Sequence, residues 1–311
     1  MQVEQRSVSD LAGLAEAYNQ ELTGVPCFFP VTPDEFEAGV GLDWRGRPLG
    51  DALTCRSFVV ASEGDTITSF AEVAVAELAY EPASGDQQKA QKHGLIRFLS
   101  YAPGRREAGE AVIHACEDYL KGQAVGTIYV FTPQDFSYRF HNMGFGMLSD
   151  RQGHVHGLLA EHGYGVYGTA AFLSRSTGQV DEPDVPDAAA EVKVTSQTGR
   201  GSRPNVSVEV LLGSEEIASC TGLSAGEFVA HDQAQTACYI AHLKVSPREQ
   251  GKGWGRYALQ RTHREVHRAG YETAFVATGG NPRALLLYTN HGYEVISTLS
   301  GYSKHGLGNR A

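Results

Sequence analysis

Along residues 7–21 (SVSDLAGLAEAYNQE) the apolar side chains Leu11, Leu14, Ala15 and Tyr18 recur at helical spacing behind Ser and Asp cap candidates, which predicts an amphipathic helix. Thr32-Pro33-Asp34-Glu35 predicts the start of a second helix. The period then changes. Residues 57–62 (SFVVAS) and 66–80 read as strands, and Glu63-Gly64-Asp65 between them suits a hairpin turn. Around 177–190 Pro, Asp, Gly and Ala replace periodic pattern, as in a linker. Residues 190–212 then read as strand, loop, strand, and 239–245 as a further strand. A helix with Trp254, Ala258, Leu259, Thr262 and Val266 on its inner face follows, ending at Ala269-Gly270, and a strand over 272–278 comes after it.

The pattern repeats. The stretch from Ile96 to Ala111 superposes on that from Ile240 to Gly255 at a constant offset of 144 residues, and the same offset carries Gly126 onto Gly270. Farther on, His162-Gly163-Tyr164 matches His291-Gly292-Tyr293 at an offset of 129, so the first copy carries about 15 extra residues near 134–151. Ile67-Thr68-Ser69 and Ile217-Ala218-Ser219 stand at comparable points on a strand. These ordered matches predict two divergent copies of one unit: 1–176, a linker over 177–190, and 191–311. The second copy has no counterpart of the two N-terminal helices.

Composition narrows the class. At 311 residues with 41% hydrophobic side chains, the chain can fill two ordinary cores. No run of about 18 apolar residues occurs, and the start MQVEQRSVSD lacks the order of a secretory signal, so a soluble cytoplasmic protein, monomeric or homodimeric, is expected. Five isolated cysteines indicate neither a disulfide framework nor a cysteine zinc site, and are expected as buried thiols. His154-x-His156, with His141 and His162, lacks carboxylates or cysteines at ligand spacing, so no metal is expected.

The net charge of −10 argues against nucleic acid as partner. Residues 1–176 carry 13 basic and 22 acidic side chains, net −9, whereas 177–311 carry 13 and 14, net −1. The near neutrality of the second copy comes from Lys244, Arg248, Lys252, Arg256, Arg261, Arg264 and Arg268, which face only Glu249 and Glu265. By itself such a surplus reads first as a solvated helix face, and it also suits a bound anion.

The anion reading has a chemical location. Tyr239 to Val245 leads through Ser246-Pro247-Arg248-Glu249 into Gln250-Gly251-Lys252-Gly253-Trp254-Gly255, a strand feeding a helix through a glycine-rich turn whose backbone N–H groups and helix dipole suit a pyrophosphate. The same turn could merely permit close packing of helix on strand. The Walker pattern is absent, and G-x-G-x-x-G fails at this turn because Tyr257 and Ala258 follow where the spacing needs Gly.

Downstream stands Asn281-Pro282-Arg283-Ala284-Leu285-Leu286-Leu287-Tyr288, followed by His291-Gly292-Tyr293. Together with Gln250, Gly253 and Gly255, which match the acyl-CoA motif Arg/Gln-x-x-G-x-G/A, these residues resemble the GNAT superfamily of N-acyltransferases. The resemblance is strong over about 206–300. In the first copy Arg106, Gly109 and Ala111 still fit that motif, but 154–161 (HVHGLLAE) lacks the asparagine and tyrosine. The first copy therefore reads as degenerate.

The resemblance implies an α/β (α+β) fold of two tandem GNAT-like domains, each a mixed, mostly antiparallel twisted sheet with flanking helices. It implies an N-acetyltransferase moving acetyl from acetyl-CoA to a small-molecule primary amine, or alternatively a non-catalytic acyl-CoA-binding or regulatory protein. Backbone groups of Leu243, Lys244 and Val245 would meet the pantetheine arm. Gln250, Gly251, Lys252, Gly253, Trp254, Gly255 and Arg256 would hold the pyrophosphate, Asn281 would reach the pantetheine, and Tyr288 would protonate the leaving thiolate. The base is open. Ala241 stands where many members carry Glu, His242 is adjacent with a suitable intrinsic pKa, and Glu209, Glu227, Glu72 or Glu77 could act through water.

Overall fold

The computed structural model describes residues 1–80, 87–132, 135–178 and 183–306. Residues 179–182 of the expected linker, and Gln134 at the start of the expected insertion, lie outside them. Two compact units emerge, Met1–Ala170 with Ser297–Ala311, and Ala171–Ile296.

The first unit contains β1 (Gln2–Arg6), α1 (Leu14–Glu21), α2 (Pro33–Val40), β2 (Thr54–Glu63), β3 (Thr66–Tyr80), β4 (Gln87–Tyr101), α3 (Arg106–Lys121), β5 (Thr127–Val130), β6 (Leu148–Ser149) and α4 (Gly153–Glu161). Helix α1 starts later than the periodicity predicts because Gly13, in a left-handed conformation with φ 74°, precedes it, and no side chain caps it. Helix α2 starts where expected: Thr32 and Glu35 form a reciprocal capping box and Pro33 opens the first turn. Strands β1 to β4 pair antiparallel in sequence order, and β4 pairs parallel with β5.

The second unit contains β8 (Ala190–Gln197), β9 (Asn205–Leu212), β10 (Glu215–Ser224), α5 (Asp232–Gln235), β11 (Ala237–Val245), α6 (Trp254–Arg268), β12 (Thr273–Gly279) and α7 (Pro282–Thr289). Strands β8 to β11 form an antiparallel meander and β11 pairs parallel with β12. Val206, Val208, Val210, Cys220, Cys238 and Ile240 bury one sheet face against Ala258, Leu259 and Val266 of α6. Among the described residues, no helix is long and apolar enough to cross a membrane.

Two strands divide the chain differently from the sequence boundaries. Strand β7 (Gly165–Ser176) leaves the first unit at Ala170, and within β13 (Glu294–His305) the residues from Ser297 onward belong to the first unit. There Tyr302 to His305 pair antiparallel with Val130 to Thr127, covering what would be an open sheet edge at β5. A break in composition marks a linker but carries no trace of a strand pairing across such sequence distance.

Pairing confirms the 144-residue offset residue by residue. Glu72 pairs with Phe98 and Val73 with Ile96, leaving Arg97 as a bulge; Thr221 pairs with His242 and Gly222 with Ile240, leaving Ala241 as a bulge at the same place. Upstream the register refines the match by one residue. Ala102 donates to the Thr68 carbonyl as Ser246 does to that of Ile217, so Thr68 rather than Ile67 corresponds to Ile217. Cysteines 116, 220 and 238 are buried as expected, but Cys27 is half-buried and Cys55 exposed.

Candidate acyl-donor site

Strand β11 runs to Val245, but its parallel pairing with β12 comprises Ala237 to Tyr239 against Thr273 to Phe275. Beyond Tyr239 the two strands no longer pair, and backbone groups of the later β11 residues face a fork instead of a neighbour. The bulge at Ala241 also shifts the side-chain phase. Cys238 and Ile240 before it, and Leu243 and Val245 after it, all pack toward the α6 core, so His242 and Lys244 stand on the other face of the sheet. His242 and Lys244 are exposed. Their cross-strand partners are Thr221 and Ser219.

Past the strand, Gly251 (φ 81°) and Gly253 (φ 92°) adopt left-handed backbone conformations, which glycine allows without Cβ strain. Gly253 is the residue before α6, and no side chain caps that helix. The N–H groups of its first turn are therefore left to an external acceptor. The Gln250 amide donates to the Val245 carbonyl (3.3 Å), tying the turn to the end of β11. Gly255 is needed for approach, since a Cβ there would stand 3.3 Å from a Val245 methyl. Glu249 accepts from the Lys252 ammonium (2.9 Å) and the buried Trp254 indole N–H (3.2 Å), which holds its carboxyl below the ordinary range. Lys244, Arg248 and Arg256 make no ion pair among the described residues. Arg248 was counted in the basic cluster of the sequence but not assigned to the turn.

Asn281 is the cap of α7: its side-chain oxygen accepts from the N–H groups of Arg283 (3.1 Å) and Ala284 (3.4 Å). That leaves only its exposed NH2 group for a ligand. Tyr288 is buried on α7 in the core cluster, and that burial, with Cys220 and Tyr239 nearby, pushes its phenol well above the ordinary value of 10. Its hydroxyl makes no hydrogen bond among the described residues, whereas its ring packs edge-on against Tyr293 at 5.4 Å. Tyr293 is held in turn by His263 (2.8 Å). Arg175 can only donate to the other ring nitrogen of His263 (3.1 Å), so that ring carries its proton on Nε2 and donates it to Tyr293.

Three of the other candidate bases, Glu227, Glu209 and Glu72, have partners of their own, whereas Glu77 is exposed on β3 opposite Lys92. Glu227 accepts from the Arg200 N–H and the Asn205 amide, both at 2.9 Å. Glu209 pairs with Lys193 at 3.1 Å. Glu72 is fully buried between Arg56 and Arg97.

In the first unit the corresponding fork is filled. Arg97 donates to both Glu72 oxygens and to the carbonyls of Val40, Phe136 and Ser137, with its guanidinium 4.9 Å from the Tyr138 ring centroid. Phe136 to Tyr138 belong to the extra residues of this copy, and the Phe131 N–H continues pairing onto the Ile96 carbonyl. Helix α3 starts at Arg106, the counterpart of Gln250, so the residues equivalent to the glycine turn are already helical. Arg105 pairs with Glu63, and Arg106 with Glu110 and Glu161.

No family model matches the sequence and no curated protein matches it significantly. Solved structures do. A tandem GNAT protein from the clavulanic acid biosynthesis pathway aligns over 100% of both chains with TM-score 0.69 at 9% identity. The chain has the tandem GNAT fold. A GCN5-related glucosamine N-acetyltransferase region of a fungal multi-domain β-N-acetylglucosaminidase aligns over 97% of this chain and 38% of its own (TM-score 0.67, 13% identity). A GCN5-related N-acetyltransferase from Sphaerobacter thermophilus aligns over 97% and 95% (0.59, 12%). At such identities the likeness to these GNAT structures is one of fold, and activity has to be argued from the site.

Proposed function

We propose that the C-terminal GNAT unit is an N-acyltransferase that moves acetyl from acetyl-CoA to the primary amine of a small molecule by direct attack. The open fork between β11 and β12 carries this reading, because it lies beside an uncapped helix start with two left-handed glycines and three cations that make no ion pair among the described residues. Backbone groups of Leu243 to Val245 suit the amides of a pantetheine arm, and the N–H groups from Gly251 to Arg256 suit a pyrophosphate. Lys244, Arg248 and Arg256 supply the compensating charge.

In this reading the amine nitrogen attacks the thioester carbonyl carbon, the C–N bond forms, and collapse breaks the C–S bond to release the CoA thiolate. His242 takes the proton from the nitrogen. Tyr288 donates a hydrogen bond to the departing sulfur. Burial keeps that phenol protonated, and an approaching thiolate raises its pKa further, so Tyr288 stabilises the leaving group without surrendering its proton outright and solvent completes the protonation. Thiol release from acetyl-CoA with a panel of primary amines, lost in Tyr288→Phe, is the expected result.

The alanine at position 241 favours one other reading, an acyl-CoA-binding module without transfer chemistry. Calorimetric binding of acetyl-CoA with no acetylated amine by mass spectrometry across the panel would establish it.

A further inference from the structure

The first unit holds a second cluster, away from its filled fork. Glu110, His114 and Glu117 lie along one stripe of α3, and His162 closes the C-terminal end of α4. One ligand atom from each of His114, Glu117 and His162 lies within 4.8 Å of the other two. The imidazoles meet edge to face at 4.7 Å, and neither makes a hydrogen bond to any described residue. Other histidines of this region are spent: His154 bonds the Tyr101 carbonyl, His156 bonds Tyr302 and the Ser149 carbonyl, and His141 bonds Tyr18.

We propose that His114, Glu117 and His162 form a binding site for one divalent transition-metal ion, zinc(II) by its chemistry, that ties helix α3 to the end of α4. Two imidazoles and a carboxylate make a borderline nitrogen and oxygen donor set, which suits zinc over calcium or magnesium. Ligands of a tetrahedral zinc stand roughly 3.4 Å apart, so closure takes a shift of about an ångström, which the exposed His114 side chain can supply. Partial burial and the neighbouring His114 lower the pKa of His162, keeping it neutral as a ligand must be.

The surroundings define a competitor. Lys304 donates to Glu117 at 2.7 Å, so its ammonium holds the cation's place until metal arrives. It also lies 5.2 Å from the Tyr164 ring centroid, an alternative seat once displaced. Glu110 and Glu161, both paired with Arg106, flank the site without entering the set.

Titration of the chelator-treated full chain with zinc chloride should give one saturable site, and cobalt(II) should give the visible absorption of tetrahedral coordination. Both signals should vanish in His114→Ala and in His162→Ala; His114 is exposed, so its replacement does not threaten the fold. Lys304→Met should tighten binding by removing the competitor. Absence of saturable zinc binding, or binding retained in both histidine variants, would overturn the proposal. Binding left unchanged or weakened by Lys304→Met would overturn it too, by removing Glu117 from the ligand set.

Discussion

The two copies share a backbone design down to a bulge at the same position, yet they spend it differently. In the first copy the bulged residue is Arg97, its cross-strand neighbourhood holds Glu72, and the sheet face around it carries Phe98 packed on Phe70 at 5.1 Å and on Tyr18 at 5.2 Å. At the same register the second copy has Ala241, Thr221, Ser219 and His242. The same register is aromatic core in one copy and carries small and polar side chains in the other, with His242 exposed. The helix starts differ in the same sense. One begins a turn early with its arginines neutralised by carboxylates, and the other begins after two left-handed glycines, with Lys244, Arg248 and Arg256 making no ion pair among the described residues. A fold can thus keep its geometry while side chains close its site.

The largest effect expected is structural. Arg97→Met would leave the Glu72 carboxylate buried with only Arg56 against it, costing about 3–5 kcal/mol. Denaturant unfolding should show this loss in the first unit, with acetyl-CoA affinity of the second unchanged. A fall in affinity as large as the fall in stability would break the division of labour.

Next comes Tyr288→Phe, expected to lower kcat by roughly 100-fold or more while leaving the dissociation constant for acetyl-CoA near its original value.

The units should also part in acid. Burial lowers His263 of the second unit from the ordinary 6.5 to about 3, so the unfolded state binds the extra proton. The stability from its neutral burial is present above pH 6.5 and is lost as pH falls toward 3, at about 2 kcal/mol between pH 6.5 and 5. In the first unit His141 is lowered to about 4, but Glu21 is raised from 4.5 to about 7 by burial. A raised carboxyl gives stability at low pH that is lost as pH rises, so the two terms offset each other between pH 4.5 and 6.5. Amide protection factors in α6 should therefore fall between pH 7 and 5 more than those in β4; an equal fall would show that these buried groups do not set the difference.

The smallest effects belong to exposed cations. Lys244→Gln and Arg256→Gln should each weaken acetyl-CoA binding by about 0.3–1 kcal/mol, less at high salt.

Much of this architecture was legible in periodicity and in the repeat: the strands flanking Glu63-Gly64-Asp65, the capped start at Thr32, the inner face of α6 and the constant offset of 144 residues. What stayed hidden was long-range. Nothing local marks residues from Ser297 onward as partners of β5, because strand pairing leaves no signature in composition. The bulges were equally invisible, since Arg97 and Ala241 sit in runs that read as unbroken strands. At the site, the motif singled out Gly251, Gly253 and Tyr288, but the left-handed backbone of the two glycines, the cap formed by Asn281 and the engagement of Glu72 and Glu227 emerged only from the structure. The cluster of His114, Glu117 and His162 escaped because its members are joined by packing of two helices, not by spacing.

The central claim, one competent acyl-donor site located in the second copy, is tested most directly by calorimetric titration of the full chain with acetyl-CoA. One site per chain is predicted, lost in Gly253→Glu, where a side chain strains the left-handed backbone (φ 92°) and a carboxylate repels the pyrophosphate, and retained in Gly104→Glu, a left-handed glycine just before α3 in the first copy. Two sites per chain, or full binding surviving Gly253→Glu, would contradict it.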